Sequence, residues 1–303
     1  MQCSIIIPVH NQNWELSQCI KSLIRQKTKF KFEIIVIDDN SNDSINLDKG
    51  IKNILNIKII NLNKRVGAAG ARNIGISMSR HELIVFLDAD MIVPKNFIQQ
   101  HVRLHQKYKR IISVGFRKHI FCRKKGNLKI NVNRAPSYKS DFRYKKYIPH
   151  SWQSQYPKEG ISTFNRTHYP LRETSDFSKF GHRAKIGVWE LPHMVLTCSM
   201  GVRKNWLFKV GGFTEKFKKS WYEDTFLGAQ LIAIGLKVIP IKNITGYHIV
   251  KNNSGKRLYE FETIKQNRDI YLKLINKPII NKNHKEFIKM VNNKYGRYIR
   301  KLS

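Results

Sequence analysis

Acid is what this chain lacks. Only 21 of its 303 residues are Asp or Glu, against 56 Lys and Arg, a formal net charge of +35. That balance favours an anionic partner: a phosphate-bearing substrate, an acidic membrane surface or nucleic acid. A lysine- and asparagine-rich solvated surface accounts for the excess equally well. Cysteine is scarce too. Cys3, Cys19, Cys122 and Cys198 stand far apart, with no Cys-x-x-Cys and no His at metal spacing. A disulfide framework is therefore not expected, and two of the four sit in apolar stretches that read as buried free thiols. No run approaches the ~18 apolar residues of a membrane span. The chain opens directly into "CSIIIPVHN", without the charged leader of a signal peptide. The reading is a cytosolic protein, attached to a membrane at most peripherally. There are no internal repeats.

What is present is a clean alternation of strand and helix signals over residues 1–115. "SIIIPV", "FEIIVIDD", "IKIINL", "ELIVFLDAD" and "RIISVGF" read as strands, separated by helical stretches such as "WELSQCIKSLIRQ" and "NFIQQHVRLHQKY". Apolar content of 41% suits a globular core. Such alternation predicts an α/β fold, a mostly parallel sheet with helices on both faces, whose ligand site lies at the carboxyl ends of the strands. Residues 116–190 break the rhythm with basic, aromatic-rich segments such as "FRYKKYIPHSWQSQYP", the pattern of a functional lid or insertion. Regular signals resume over 191–250, and 251–303 reads as a basic helical extension.

Three of the strands end in groups able to do chemistry: Pro8-Val9-His10-Asn11, Asp38-Asp39 and Asp88-Ala89-Asp90. One converging site is the economical explanation. Two carboxylates at i and i+2 past a strand end suit a hard divalent cation, Mg2+ or Mn2+, arriving with a diphosphate. Read singly, Asp88 and Asp90 are as well explained by a helix N-cap and a solvated acid. "DDNSND" from Asp38 is rich in turn formers, so Asp39 is either an acceptor for a ligand or part of a turn. "GAAGARN" is neither a Walker loop nor Gly-x-Gly-x-x-Gly. Gly67 and Gly70 there permit close backbone approach, with Arg72 and Asn73 near a ligand or the acids. Arg72 as a structural ion pair remains open.

Taken together, these segments resemble the GT-A-fold glycosyltransferases of the large family 2 group. The likeness runs from Ser4 to about Gly115 and resumes from Met200 to His248. It rests on "SIIIPVHN", "FEIIVIDDNSND", "RVGAAGARNIGI", "FLDADMIVP" and "VGGFTEKF…SWYEDTFLGAQLIAIG" in that order. The resemblance implies a metal-dependent enzyme that moves a sugar from a UDP-sugar to a glycan or glycolipid acceptor with inversion, in bacterial surface glycan synthesis. It implies that Asp39 accepts from uracil, with Pro8, His10, Gly67, Arg72, Asn73 and Asp88 around the nucleotide sugar. Asp88, Asp90 and His248, the last in "TGYHIV" after a short strand, would hold Mn2+ or Mg2+. Asp224 would be the base that takes the acceptor proton, while Glu223 and Trp221 would hold the acceptor. Plain alternatives stand beside these: favourable acids at a helix N-terminus for Glu223 and Asp224, a structural His248, a packing Trp221.

The pattern has departures. An arginine often found a turn after Glu-Asp is replaced by Gln230, and no Gln-x-x-Arg-Trp segment follows, which argues against a processive synthase. Two rivals remain: a transferase with a protein or peptide acceptor, and a non-enzymatic polyanion-binding protein on the same scaffold. No recognisable nucleic-acid module appears, although Lys/Arg interleaved with aromatics is a chemistry single strands accept. An anionic membrane surface fits the charge as well.

Overall fold

The computed structural model describes residues 1–45, 47, 56–121, 135–141, 192–217, 222–250, 257–274, 277, 279 and 281–300. The isoleucine-rich segments form one sheet. Its strands are β1 (Cys3–Val9), β2 (Phe32–Asp38), β3 (Ile57–Asn61), β4 (Leu83–Leu87), β5 (Met91–Ile92), β6 (Ile111–Phe121), β7 (Ser199–Arg203) and β8 (Lys237–Val250). They lie in the order β3-β2-β1-β4-β7-β6-β8-β5. The helices are α1 (Asn13–Ile24), α2 (Gly67–Met78), α3 (Phe97–Lys107), α4 (Lys204–Lys209), α5 (Glu223–Ala233), α6 (Arg257–Leu274) and α7 (His284–Tyr295).

The first half is parallel as expected: β1 pairs in parallel with β2 and β4, and β2 with β3. Beyond β4 the sheet turns mixed. β7 runs antiparallel to both β4 and β6, β8 runs parallel to β6, and β5 antiparallel to β8. Strand direction was not legible because a strand covered on both faces is a continuous apolar run whichever way it points.

Alternation along each strand builds two cores. Ile6, Ile35, Ile37, Ile84 and Phe86 face α2, α5 and α7, while Ile5, Ile7, Ile34, Val36 and Val85 face α1 and α3. Burying side chains of this size stabilises by roughly 1.5–3 kcal/mol each before chain entropy is charged against it. Cys3, Cys19 and Cys198 are buried free thiols inside this packing. Gly75 sits where an added Cβ would lie 2.4 Å from Ile6, so α2 lies directly on β1.

Two local expectations need correction. Asp88 does not start a helix. Met91 N–H donates to the Asp88 carbonyl at 3.1 Å, a tight turn that feeds β5, and the next helix begins only at Phe97. His248 does not follow a short strand but lies inside the 14-residue β8, opposite Met91. The insertion expected over 116–190 falls outside the described residues except for 116–121 and 135–141. Within 251–303 the described residues form α6 and α7, but Ile299 makes a β-bridge to Leu62.

Candidate active site

The carboxyl ends of β1, β2 and β4 lie side by side, and the chemistry expected of them gathers there. Asp39 follows β2 and is 4% exposed. Its two oxygens accept the Val66 and Gly67 amides, at 2.6 and 2.9 Å. These are the first donors of α2, which no intrahelical carbonyl can satisfy, so a carboxylate there is favourable. Gly67 has φ +79°, a left-handed turn that glycine enters without strain. Asp39 is thus part of a helix start and also a fixed acceptor, since each oxygen keeps a second lone pair. His10 joins it from β1, its Nδ1 2.9 Å from the Asp39 carbonyl. Pro8 is half-buried in β1, paired with Ile37.

Past β4, Asp88, Asp90 and His248 each offer a ligand atom, all within 4.8 Å of one another. The antiparallel β5–β8 pairing delivers His248, with Met91 opposite it. His248 Nε2 lies 3.2 Å from Asp90 Oδ1, and Gln12 Nε2 donates to Asp90 Oδ2 at 3.4 Å. Burial pushes the Asp90 carboxyl up, but its bonds to His248 and Gln12 outweigh that and hold it below the usual range. Two carboxylates and an imidazole suit Mn2+ or Mg2+, with oxygen donors dominant. The nearby Cys19 thiol donates to the Asp88 carbonyl at 3.7 Å. Burial first, then Asp90 and Asp88, raises its pKa far above the ordinary value, so it stays protonated and is no ligand.

Arg72 connects this cluster to the helix that carries the second acid pair. Its Nη2 donates to Asp88 Oδ1 at 3.0 Å and its Nη1 to Glu223 Oε1 at 3.2 Å. The guanidinium lies 5.6 Å from the centre of the Phe213 ring. Desolvation opposes its charge, yet Asp88, Glu223 and Asp224 together raise its pKa.

Glu223 and Asp224 open α5, preceded by Tyr222 at φ +74°, a conformation a tyrosine adopts only when its surroundings enforce it. Gly228 lets α5 approach closely, since an added Cβ would meet Val195 at 2.7 Å. Asp224 is partly exposed and accepts the Thr225 amide at 2.8 Å. Burial and the adjacent Glu223 lift its pKa from 3.8 to about 7, with Arg72 only partly opposing.

Most of the expected residues therefore converge, with two qualifications. Asn73 is buried and its amide is committed to Phe213, donating to the carbonyl at 2.8 Å and accepting the amide at 2.9 Å. It holds the Gly-Gly-Phe turn instead of facing a ligand. Trp221 lies outside the described residues. Gln12 and Phe213 belong to the site and were not singled out. Gln12 stands two residues past His10, and Phe213 ends the Gly-Gly-Phe already quoted, so both signals were in view.

The sequence profile described as glycosyl transferase family 2 matches residues 4–200. The chain is similar to chondroitin synthase of Escherichia coli, 25% identical over 253 residues, 81% of this chain and 34% of that protein. It thus spans about a third of the length of that relative. TarS 1-349 of S. aureus in complex with UDP-GlcNAc superimposes with a TM-score of 0.58 at 15% identity, covering 98% of this chain and 73% of that one. GalNAc-T7 with UDP, GalNAc and Mn2+ does so with a TM-score of 0.58 at 17% identity, covering 97% and 55%.

Proposed function

Since the chain belongs to glycosyl transferase family 2, we propose that it moves a sugar from a UDP-sugar to a hydroxyl of a glycan or glycolipid acceptor with inversion, in bacterial surface glycan synthesis. The carrying observation is the continuous run of groups from Asp90 and His248 through Asp88 and Arg72 to Glu223 and Asp224. It sets a cation-binding cluster beside a partly exposed carboxyl whose pKa is about 7. UDP, UDP-GlcNAc and Mn2+ in the solved neighbours support the donor and ion classes.

On this reading Asp39 accepts from the uracil N3–H, and His10 stands beside it. Asp88, Asp90 and His248 hold Mn2+ or Mg2+, which when bound neutralises the departing diphosphate. Asp224 accepts the proton of the acceptor hydroxyl as its oxygen bonds to the anomeric carbon. The bond from that carbon to the diphosphate oxygen breaks, and UDP leaves with the electron pair. A carboxyl with a pKa near 7 is a stronger base than an ordinary one while still ionised in part at neutral pH. Glu223, fixed by Arg72, orients acceptor hydroxyls, and Trp221 stands two residues before it in sequence. Residues 116–190 serve the acceptor side, and the charge of +35 supports an anionic acceptor or membrane surface.

The test is incubation with a panel of nucleotide sugars and candidate glycan acceptors, with Mn2+ or with chelator, reading nucleotide release and product stereochemistry. Metal-dependent UDP release with an inverted product is expected. Release unaffected by chelation, or a retained configuration, would reject the mechanism.

A further inference from the structure

The edge strand β3 does not end the hydrogen bonding of the sheet. Leu62, just past it, forms an antiparallel bridge with Ile299, far away in sequence. Two backbone bonds flank the bridge: Asn63 N–H donates to the Tyr298 carbonyl at 2.9 Å, and Arg300 N–H to the Asn61 carbonyl at 3.0 Å. On its other side Leu62 N–H donates to the Asp38 carbonyl at 2.9 Å, and Asp39 N–H to Val9 at 2.8 Å. Backbone bonds thus run without a break from Arg300 to the strand ends that carry Asp39 and His10.

The same C-terminal unit braces the second attachment of Asp39. α7 starts with a reciprocal cap between Asn283 and Glu286 and buries Phe287, Val291 and Tyr295. Tyr295 packs against α2 where an added Cβ on Gly70 would stand 3.3 Å from the ring. The amide of Gly67, which opens α2, is one of the two that grip the Asp39 carboxylate. Between them lies Lys64, its Nζ 5.3 Å from the centre of the Tyr298 ring. The loop 62–67 is held from both ends by residues after 283.

We propose that residues 296–300 form a positioning strap for the nucleotide end of the site, fixing the loop that orients Asp39 without touching the donor. The proposal rests on the reading that Asp39 faces the base. Its consequence is a split in kinetics: the strap governs donor affinity, and Asp224 chemistry proceeds once donor is bound.

Arg300→Pro tests it in the full chain, because proline removes the N–H that reaches Asn61. Ile299, with ψ 113°, is already in the conformation a residue before proline prefers. Arg300→Ala keeps the amide and serves as control. The expected result is UDP binding, in the presence of Mn2+, weakened about three- to tenfold in Arg300→Pro, the counterpart of roughly one lost backbone bond. Turnover at saturating donor stays near that of the parent, and amide exchange over 61–67 accelerates. Arg300→Ala behaves as the parent. Unchanged UDP affinity with unchanged exchange over 61–67 in Arg300→Pro overturns the strap, as does equal weakening in Arg300→Ala. Failure of the parent chain to bind UDP at all rejects the nucleotide reading instead, and exchange alone then decides whether the strap holds the loop.

Discussion

Arg72 Nη2 stands 3.0 Å from Asp88 Oδ1, a buried guanidinium on the carboxylate that ends β4. Its other arm holds Glu223. Arg72 therefore supplies positive charge to two acids that α5 and β4 would otherwise press together. Arg72→Met removes its charge from both, and breaking a buried pair from one side costs about 3–5 kcal/mol. Arg72→Lys recovers only part, because an ammonium lacks the planar fork that reaches both partners. Urea denaturation at neutral pH should rank the three chains in the order Arg, Lys, Met. Equal midpoints for Arg and Met would show that the bridge contributes nothing.

Asp90→Ala should abolish metal-dependent UDP binding while the fold persists. The residue lies in a turn outside both cores, and its loss frees His248 and Gln12 without opening a cavity in either. Titration calorimetry with UDP and Mn2+, beside a circular dichroism melt, checks both halves. Metal-dependent affinity that survives the substitution would remove Asp90 from the cation site.

Asp224→Asn separates chemistry from binding and carries a sign for stability. The carboxyl binds its proton to about pH 7 in the folded chain but only to ~3.9 when unfolded. Between those values the folded state holds more protons, so this group lowers stability as pH rises from about 4 to about 7. Asn cannot ionise. The variant should be more stable than the parent at pH 8, on the order of 1–2 kcal/mol, and about equal at pH 4. Transfer should fall by on the order of 10²-fold or more with UDP affinity retained. In the parent, turnover should climb with pH through about 7. A flat profile there, or a less stable Asn variant at pH 8, contradicts the assignment.

Beneath the sheet, His101 and His105 share the Ser113 hydroxyl, at 2.7 and 3.0 Å. Burial lowers the pKa of each to about 3, helped at His105 by His101 and Arg203. Unfolded, they take protons near pH 6.5. Their burial therefore supports the fold fully above about 6.5 and costs stability progressively as pH falls from there towards 3. Replacing both with Gln should flatten the loss of stability measured by urea titrations between pH 6.5 and 4. An unchanged slope would mean that other groups set the acid limit.

Local pattern along the chain suffices for the alternating α/β core and the acids at the strand ends. Buried strands and amphipathic helices announce themselves through local periodicity, and Asp39, Asp88 and Asp90 sit at the ends of such runs. Glu223 and Asp224 at a helix start were legible for the same reason. How these meet depends on the assembled sheet. The antiparallel β5–β8 pairing brings His248 to Asp90, and β7 reverses the sheet, neither of which a one-dimensional apolar pattern encodes. Asn73 turned out to hold Phe213, because side-chain direction depends on what packs opposite α2. The raised pKa of Asp224 needs burial, and burial is a property of the assembled fold. The bridge from Ile299 to Leu62 lies beyond any local rule: backbone hydrogen bonds carry no side-chain signature, so two segments so distant in sequence find each other only once the sheet has an edge to extend.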